Sequence, residues 1–301
     1  MKTFVRLILA SILLTSLVVN THSVQALSQS ITITPTSSSP VINPGESSKG
    51  TFQVVNQGES QYPYSVYATQ YRVSGQDYTP DFTNLPDTSS VDKWFDISSS
   101  GGTIEPGKSA TIGYTISVPA NTAPGGYYAA IFAQSNFTKP ASGGISLNQR
   151  VGEIFYIQVA GPVVEKGRVT SWVSKFFQKP PISAGVSLEN SGGLHYPAGI
   201  EIFIKDIFGH SKYTIRTTKE VLPQTIRKVP FSWDKSPSIG LFKISGRVTI
   251  YDKDYQLQTR WVLVMSQTVR LIMISVLSLS VLFVLLRLLI RKIKAKKSKR
   301  S

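Results

Sequence analysis

Between residues 31 and 264 the chain is written in short runs that alternate apolar and polar side chains. Gly, Pro, Asn or Ser break these runs at intervals of roughly 8–12 residues. Successive side chains of a strand point to opposite faces of a sheet, so a period of two buries one face and leaves the other to solvent or to a neighbour. No stretch of this region keeps a helical period over three turns, which excludes a helical bundle and the α/β classes built on crossover helices. Seven candidate strands precede Gly161-Pro162 and seven follow it, the first at residues 29–34 and the last at 256–264. Turn chemistry separates them at Asn43-Pro44-Gly45, Glu105-Pro106-Gly107 and Ala123-Pro124-Gly125, where Pro presets φ and Gly accepts a positive one. Seven strands is the number of an immunoglobulin-like sandwich. The order of signals also repeats between the halves, with Val55-Asn56-Gln57-Gly58 in one and Glu189-Asn190-Ser191-Gly192 in the other. The expectation is therefore all-β: two tandem immunoglobulin-like β-sandwiches, residues 27–162 and 163–264, rather than one propeller or closed barrel.

Charge is concentrated at one end. The chain of 301 residues carries 32 Lys and Arg against 17 Asp and Glu, a net +15. Residues 262–301 hold nine of the basic residues and no acid. Residues 27–162 have net charge −3 and residues 163–261 net +7. The basic balance thus reports mainly a terminus, and it is not the footprint of a nucleic-acid-binding surface. At the start, Lys2 and Arg6 precede an apolar run at 7–19 and then Val24-Gln25-Ala26, the order of a secretory signal cut after Ala26. At the other end, residues 271–290 are apolar apart from three serines and Arg287. As a helix these 20 residues would reach about 30 Å, the thickness of one bilayer core. A transmembrane α-helix is expected at 269–290, with Arg287 snorkelling toward the inner side. Arg291 and Lys292 open a basic tail, 291–301, that stays cytoplasmic by the positive-inside rule. Trp261 and Arg270 are expected near the outer interface. The expected location is the plasma membrane, single-pass, with both sandwiches outside. Leu85-Pro86-Asp87-Thr88-Ser89 lacks the Gly of a wall-sorting signal and lies far from the apolar segment, so it reads as a loop.

Within residues 40–160 the turn motifs follow a pattern. Pro44-Gly45-Glu46-Ser47 leads into a strand ending Val55-Asn56-Gln57-Gly58. Ile104-Glu105-Pro106-Gly107-Lys108-Ser109 comes next, then Val118-Pro119 and Ala123-Pro124-Gly125-Gly126-Tyr127-Tyr128. This resembles the bacterial surface Ig-like domains of WxL-interacting proteins. That resemblance implies a peptidoglycan-binding domain, a second β domain, a membrane helix and a basic tail, an architecture that matches the whole chain. It implies a wall-binding role and carries over no individual ligand residue.

Motifs of catalysis are present only as letters. Gly102-Thr103-Ile104-Glu105-Pro106-Gly107-Lys108-Ser109 fits the phosphate-loop spelling, but that loop needs a helix N-terminus behind it to aim N–H groups at phosphates. Here an alternating, β-branched stretch follows, which reads as a strand. Ser90-Val91-Asp92-Lys93 and Ser232-Trp233-Asp234-Lys235 fit S-x-x-K without its partner motifs. The chain has no Cys, so a thiolate metal site, a Cys nucleophile and a disulfide framework are excluded. His195 and His210 read as solvated turn residues. Asp77, Asp81 and Asp87 share a long loop that could offer oxygens to Ca²⁺, but their spacing matches no defined calcium loop. No enzyme activity, cofactor or metal is expected.

Two binding surfaces are expected instead. Tyr67 and Tyr71 fall on one face of a candidate strand, and with Tyr78 and Trp94 nearby they could stack on sugar rings. The competing expectation is that these rings cover a second sheet or the domain junction. Arg216, Lys219, Arg227 and Lys228 lie on neighbouring candidate strands and could meet anionic headgroups or wall polymers. The expected function is a non-catalytic, membrane-anchored surface protein that binds cell-wall glycan or an envelope protein. The alternative is a structural or assembly adaptor that takes a partner's strand onto a sandwich edge, without glycan binding.

Overall fold

A computed structural model describes residues 31–83, 90–136 and 149–298. The chain is mostly β, with one long C-terminal helix. The first part contains β1 (Ile31–Thr34), β2 (Ser37–Ser38), β3 (Val41–Ile42), β4 (Ser47–Asn56) and β5 (Tyr62–Gln70). A small hairpin of β6 (Arg72–Ser74) and β7 (Thr79–Asp81) follows, then a turn of 3-10 helix at Val91–Trp94. It ends with β8 (Phe95–Ile97), β9 (Gly101–Ile104), β10 (Ser109–Ser117), β11 (Gly125–Ser135) and β12 (Arg150–Val159). One sheet runs β1-β4-β10-β8, and the other runs β2-β12-β11-β5-β9, with β3 also on β12. Between them lies a core of Ile33, Phe52, Val54 and Ile112 from the first sheet and Tyr62, Val66, Ile131 and Phe155 from the second.

The second part contains β13 (Gly167–Val173), β14 (Phe177–Gln178), β15 (Ile182–Asn190), β16 (Tyr196–Asp206), β17 (Ser211–Val221), β18 (Thr225–Trp233), β19 (Ile239–Ile250) and β20 (Lys253–Met265). Its sheets run β13-β15-β18 and β14-β20-β19-β16-β17. On β16 every second residue is buried, from Tyr196 to Ile204. These side chains meet Val186, Leu188 and Val229 of the facing sheet in a second core. The alternation read from the sequence is thus the alternation of burial, as a two-layer sheet packing requires.

Both parts are built on one plan. In each, the opening strand pairs antiparallel in the smaller sheet (β1 on β4, β13 on β15). The chain then crosses over and pairs parallel with the closing strand of the larger sheet (β2 and β3 on β12, β14 on β20). The first crossing passes through Pro35, which has no N–H to leave unpaired as the chain quits a ladder. The repeated asparagine has the same task in both halves. Asn56 is fully buried at the end of β4; its amide donates to the carbonyls of Ser60 and Ile104 at 2.9 and 3.0 Å, and its oxygen accepts the Gly58 N–H at 2.9 Å. Asn190, fully buried at the end of β15, donates to Leu194 and Val221 at 2.8 Å each and accepts from Gly192 at 2.9 Å. Each asparagine ties a turn and the end of a strand in the opposite sheet to one side chain.

The motif spellings resolve as β structure. Gly101–Ile104 is a strand, residues 105–108 form a turn with Gly107 at φ +69°, and Ser109–Ser117 is again a strand. In this geometry no helix N-terminus stands behind the glycines. Residue 90 precedes the 3-10 turn, whereas Ser232 belongs to β18. The first 30 residues, 84–89 (Asp87 included), 137–148 and 299–301 lie outside the described residues, and so do the expected signal sequence and the last three residues of the basic tail.

After β20 a single residue, Ser266, leads into α1 (Gln267–Ser298). The Ser266 hydroxyl accepts the Val269 N–H at 3.2 Å as an N-cap, and its own N–H donates to Ser238 at 2.7 Å. Gln267–Leu288 is long and apolar enough to cross a membrane. The large apolar side chains at 271–286, Leu288 and Ile290 are about half exposed or more. Removing the shared asparagine tests the common plan. Asn56→Ala and Asn190→Ala each strand two carbonyls and one N–H, and each should cost about 2–4 kcal/mol in denaturant unfolding. A loss under about 0.5 kcal/mol would contradict the role given to these side chains.

Candidate functional site

The aromatic residues singled out in the sequence do not form an exposed face. Tyr71, Tyr78 and Trp94 are all buried. Trp94 packs in the first core, 4.8 Å ring to ring from Tyr127. Tyr67 is half-buried, with its hydroxyl donating to Gln134 at 3.3 Å and accepting from Arg150 at 3.3 Å. The reason is that the β5-β11-β12 sheet is covered on both faces. β11 buries Ala129, Ile131 and Ala133 toward its own core and Ala130 and Phe132 on the other side. Over that second face fold Phe82, just after the β6–β7 hairpin, and the guanidinium of Arg150, 4.2 Å from the Phe132 ring.

Tyr71 and Tyr78 instead belong to the core of the second half. β5 ends at Gln70, and the hairpin that follows leaves the first sheet pair and reaches across. Tyr78, at the hairpin turn with φ +58°, carries the deepest contact. Its hydroxyl accepts the Leu222 N–H at 2.9 Å and bonds the Thr225 hydroxyl, and the Arg227 guanidinium lies 4.4 Å over its ring. Backbone bonds close the joint, from Lys228 N–H to the Gln76 carbonyl at 2.8 Å and from Gly126 N–H to the Gly193 carbonyl at 3.1 Å. Around them stands a set of rings, edge-to-face for Tyr71 against Tyr128 at 6.1 Å, Tyr128 against Tyr156 at 6.2 Å and His195 against Tyr128 at 5.7 Å, and tilted for His195 against Tyr156 at 5.4 Å. The arrangement is a clamp between the two sheet pairs.

Its electrostatics are those of a poorly hydrated joint. Burial pushes the Tyr71, Tyr128 and Tyr156 phenols up, so all stay neutral donors. Burial raises Glu220, whose Oε2 has no hydrogen-bond partner, while Arg227 acts in the opposite sense. His195 is not a solvated turn residue. It is half-buried, its Nδ1 lies 3.2 Å from the Tyr128 hydroxyl, and burial lowers its pKa to about 4. His210 is exposed and pairs with Asp206 at 3.2 Å. Away from this joint a fully buried carboxylate, Glu153, accepts from Ser38 at 2.5 Å where β2 joins β12, and burial raises it to about 6.

The four expected anion contacts separate. Arg216 and Lys219 lie on β17 in the five-stranded sheet, Arg227 and Lys228 on β18 in the three-stranded one. Arg216 is paired with Glu201 at 2.9 Å, and Arg227 turns into the clamp. They are no single patch. Asp81 bonds Arg72 at 3.2 Å, and among the described residues no group of three His, Asp or Glu could hold a metal ion. Arg270, Arg287, Arg291 and Lys292 all lie on α1, with Arg287 5.2 Å over the Phe283 ring. Trp261 is on β20, 42% exposed and 4.8 Å from the Lys243 ammonium.

Sequence reading missed Tyr128, Tyr156, Phe82 and Phe132, and it gave His195 to a solvated turn. A signal for them existed, since Tyr128 and Phe132 alternate with the buried Ala129 and Ile131 on one strand. A strand with large rings on its non-core side announces that this side is covered too.

No family model and no curated protein matches this sequence. Among solved structures it is similar to the class 5 fimbriae chaperone CfaA, at 10% identity and a TM-score of 0.40, over 78% of this chain and 99% of that one. The E. coli chaperone DraB gives 10% identity and 0.38, over 76% and 98%. The Pseudomonas aeruginosa CupB2 chaperone gives 12% and 0.36, over 76% and 99%. Likeness at this level does not extend to what the chain binds.

The clamp predicts a pH dependence. Free histidine titrates near 6.5, so between that value and about 4 the unfolded chain binds more protons at His195 than the folded one. The stability tied to this neutral ring is complete above about 6.5 and is lost as pH falls toward about 4. His195→Gln keeps a partner for Tyr128 without titrating. Thermal unfolding midpoints should therefore fall less steeply from pH 6.5 to 4 in the variant than in the native chain, and parallel curves would show that His195 takes up its proton in the joint as readily as in the unfolded chain.

Proposed function

We propose that this chain is a non-catalytic, membrane-anchored surface protein. Two immunoglobulin-like sandwiches, clamped into one rigid body, hold an envelope protein partner at a set height above the bilayer. α1 is the single span, the sandwiches lie outside, and the basic end of the helix lies inside. The observation that carries this reading is the clamp itself: Tyr71 and Tyr78, the rings that suited a sugar platform, are buried between the halves. That favours a protein partner over wall glycan. The resemblance to WxL-interacting proteins still argues for a wall ligand on the first sandwich, and it remains the second reading.

The partner's place is the edge of the five-stranded sheet. β17 is 11 residues long, against four for β1 and three for β8, and it ends its sheet's strand order. A sheet edge offers a row of main-chain donors and acceptors to an added strand. Lys212, Arg216 and Lys219 punctuate this edge, which discourages self-pairing and suits a partner with acidic side chains. With a photo-crosslinking residue at position 214 or 218 of the full chain, intact cells should yield one discrete protein adduct. Purified wall should not retain the detergent-solubilised protein. Retention by glycan with no protein adduct would reverse the order of the two readings.

A further inference from the structure

Several large apolar side chains are exposed at the end of the second sheet pair from which α1 departs. The β16–β17 turn puts Ile207 and Phe208 at its tip, 48% and 78% exposed. β19 begins with Ile239, 52% exposed and paired with Met265, the last residue of β20. Phe176 and Phe177, 47% and 69% exposed, pack ring to ring at 4.7 Å beside β20, with Phe177 level with Leu263. Asp206 is level with Phe242, which faces Val262, so the turn beyond it reaches the level of the last residues of β20. These five side chains form a rim that runs across the sheet from β14 to the β16–β17 turn, about 15 Å at the usual strand spacing.

The chain leaves no slack to hold this rim away from a membrane. One residue separates β20 from α1, and Ser266 is bonded both to Ser238 and to the first helical turn. If residues 271–290 fill the hydrocarbon, Ser266 lies only about 7 Å above it, within the headgroup layer. Exposed lysines flank the apolar side chains at Lys175, Lys179 and Lys235, and Lys212 stands there paired with Asp206 at 3.1 Å. Apolar tips ringed by cations suit an interface of anionic headgroups above acyl chains.

We infer that this rim is a second membrane contact, seated in the headgroup layer, which fixes the tilt of the whole body on its span. The inference rests on the reading of α1 as transmembrane, and its test separates the two. The chain has no Cys, so single cysteines can be labelled without background. Full-length protein carrying a nitrobenzoxadiazole dye at Phe177→Cys, Phe208→Cys, Lys253→Cys or Leu279→Cys is reconstituted in vesicles of phosphatidylcholine and phosphatidylglycerol. Position 253 is the control, 12 residues up β20 and about 40 Å from Met265. Nitroxide at the lipid headgroup should quench dyes at 177 and 208 at least about twofold more than at 253. Nitroxide on the acyl chain should quench the dye at 279. If 279 is quenched while 177 and 208 behave like 253, the rim inference fails and the span stands. If 279 is not quenched, the span itself fails.

Discussion

The phenol of Tyr78, buried in the core of the other half of the molecule, is the contact on which the rest of this structure depends. Two sheet pairs joined by a short linker would ordinarily move against each other, since interfaces between such units are small and polar. Here a hairpin carried by one half is part of the core of the other. The hydroxyl of Tyr78 satisfies a backbone N–H at Leu222, its ring lies under Arg227, and tyrosines from β11 and β12 fill the space around it. These contacts tie the hairpin of one half into the core of the other.

The clamp also explains an apparent contradiction in the chemistry. A cluster of tyrosines, a histidine and a glutamate beside an arginine would pass for an active site by composition. The phenols are held neutral by burial, His195 is lowered far enough to be uncharged at neutral pH, and these groups surround a joint rather than a cleft. Perturbed titration here follows from desolvation at an interface between two halves of one chain.

Much of the architecture was legible in the residues. Alternation located the long strands because each has one face in a core. The Asn-x-Gly repeat marked a true structural repeat, with Asn56 and Asn190 bonded alike. The short strands β2, β3 and β14 were not legible, because two residues cannot display a period and their partners β12 and β20 are more than 80 residues away. Of the two expectations for the tyrosines, the ligand face fails and the junction between the halves is where Tyr71 and Tyr78 lie. Tyr71 and Tyr78 carry the right chemistry for a ligand face, and no local pattern says that a hairpin will bury them in a core about 100 residues downstream. Arg216 and Arg227 looked like neighbours because their strands are consecutive, but the chain changes sheets between them.

Rigidity of the joined halves is the claim most open to direct measurement. Spin labels at Lys49→Cys and Lys253→Cys, both exposed and in opposite halves, report it in the full-length chain by pulsed electron spin resonance. The account predicts one narrow distance distribution that broadens when Tyr78→Ala is added. A distribution already broad with Tyr78 in place would show that the halves move independently and that the clamp is no clamp.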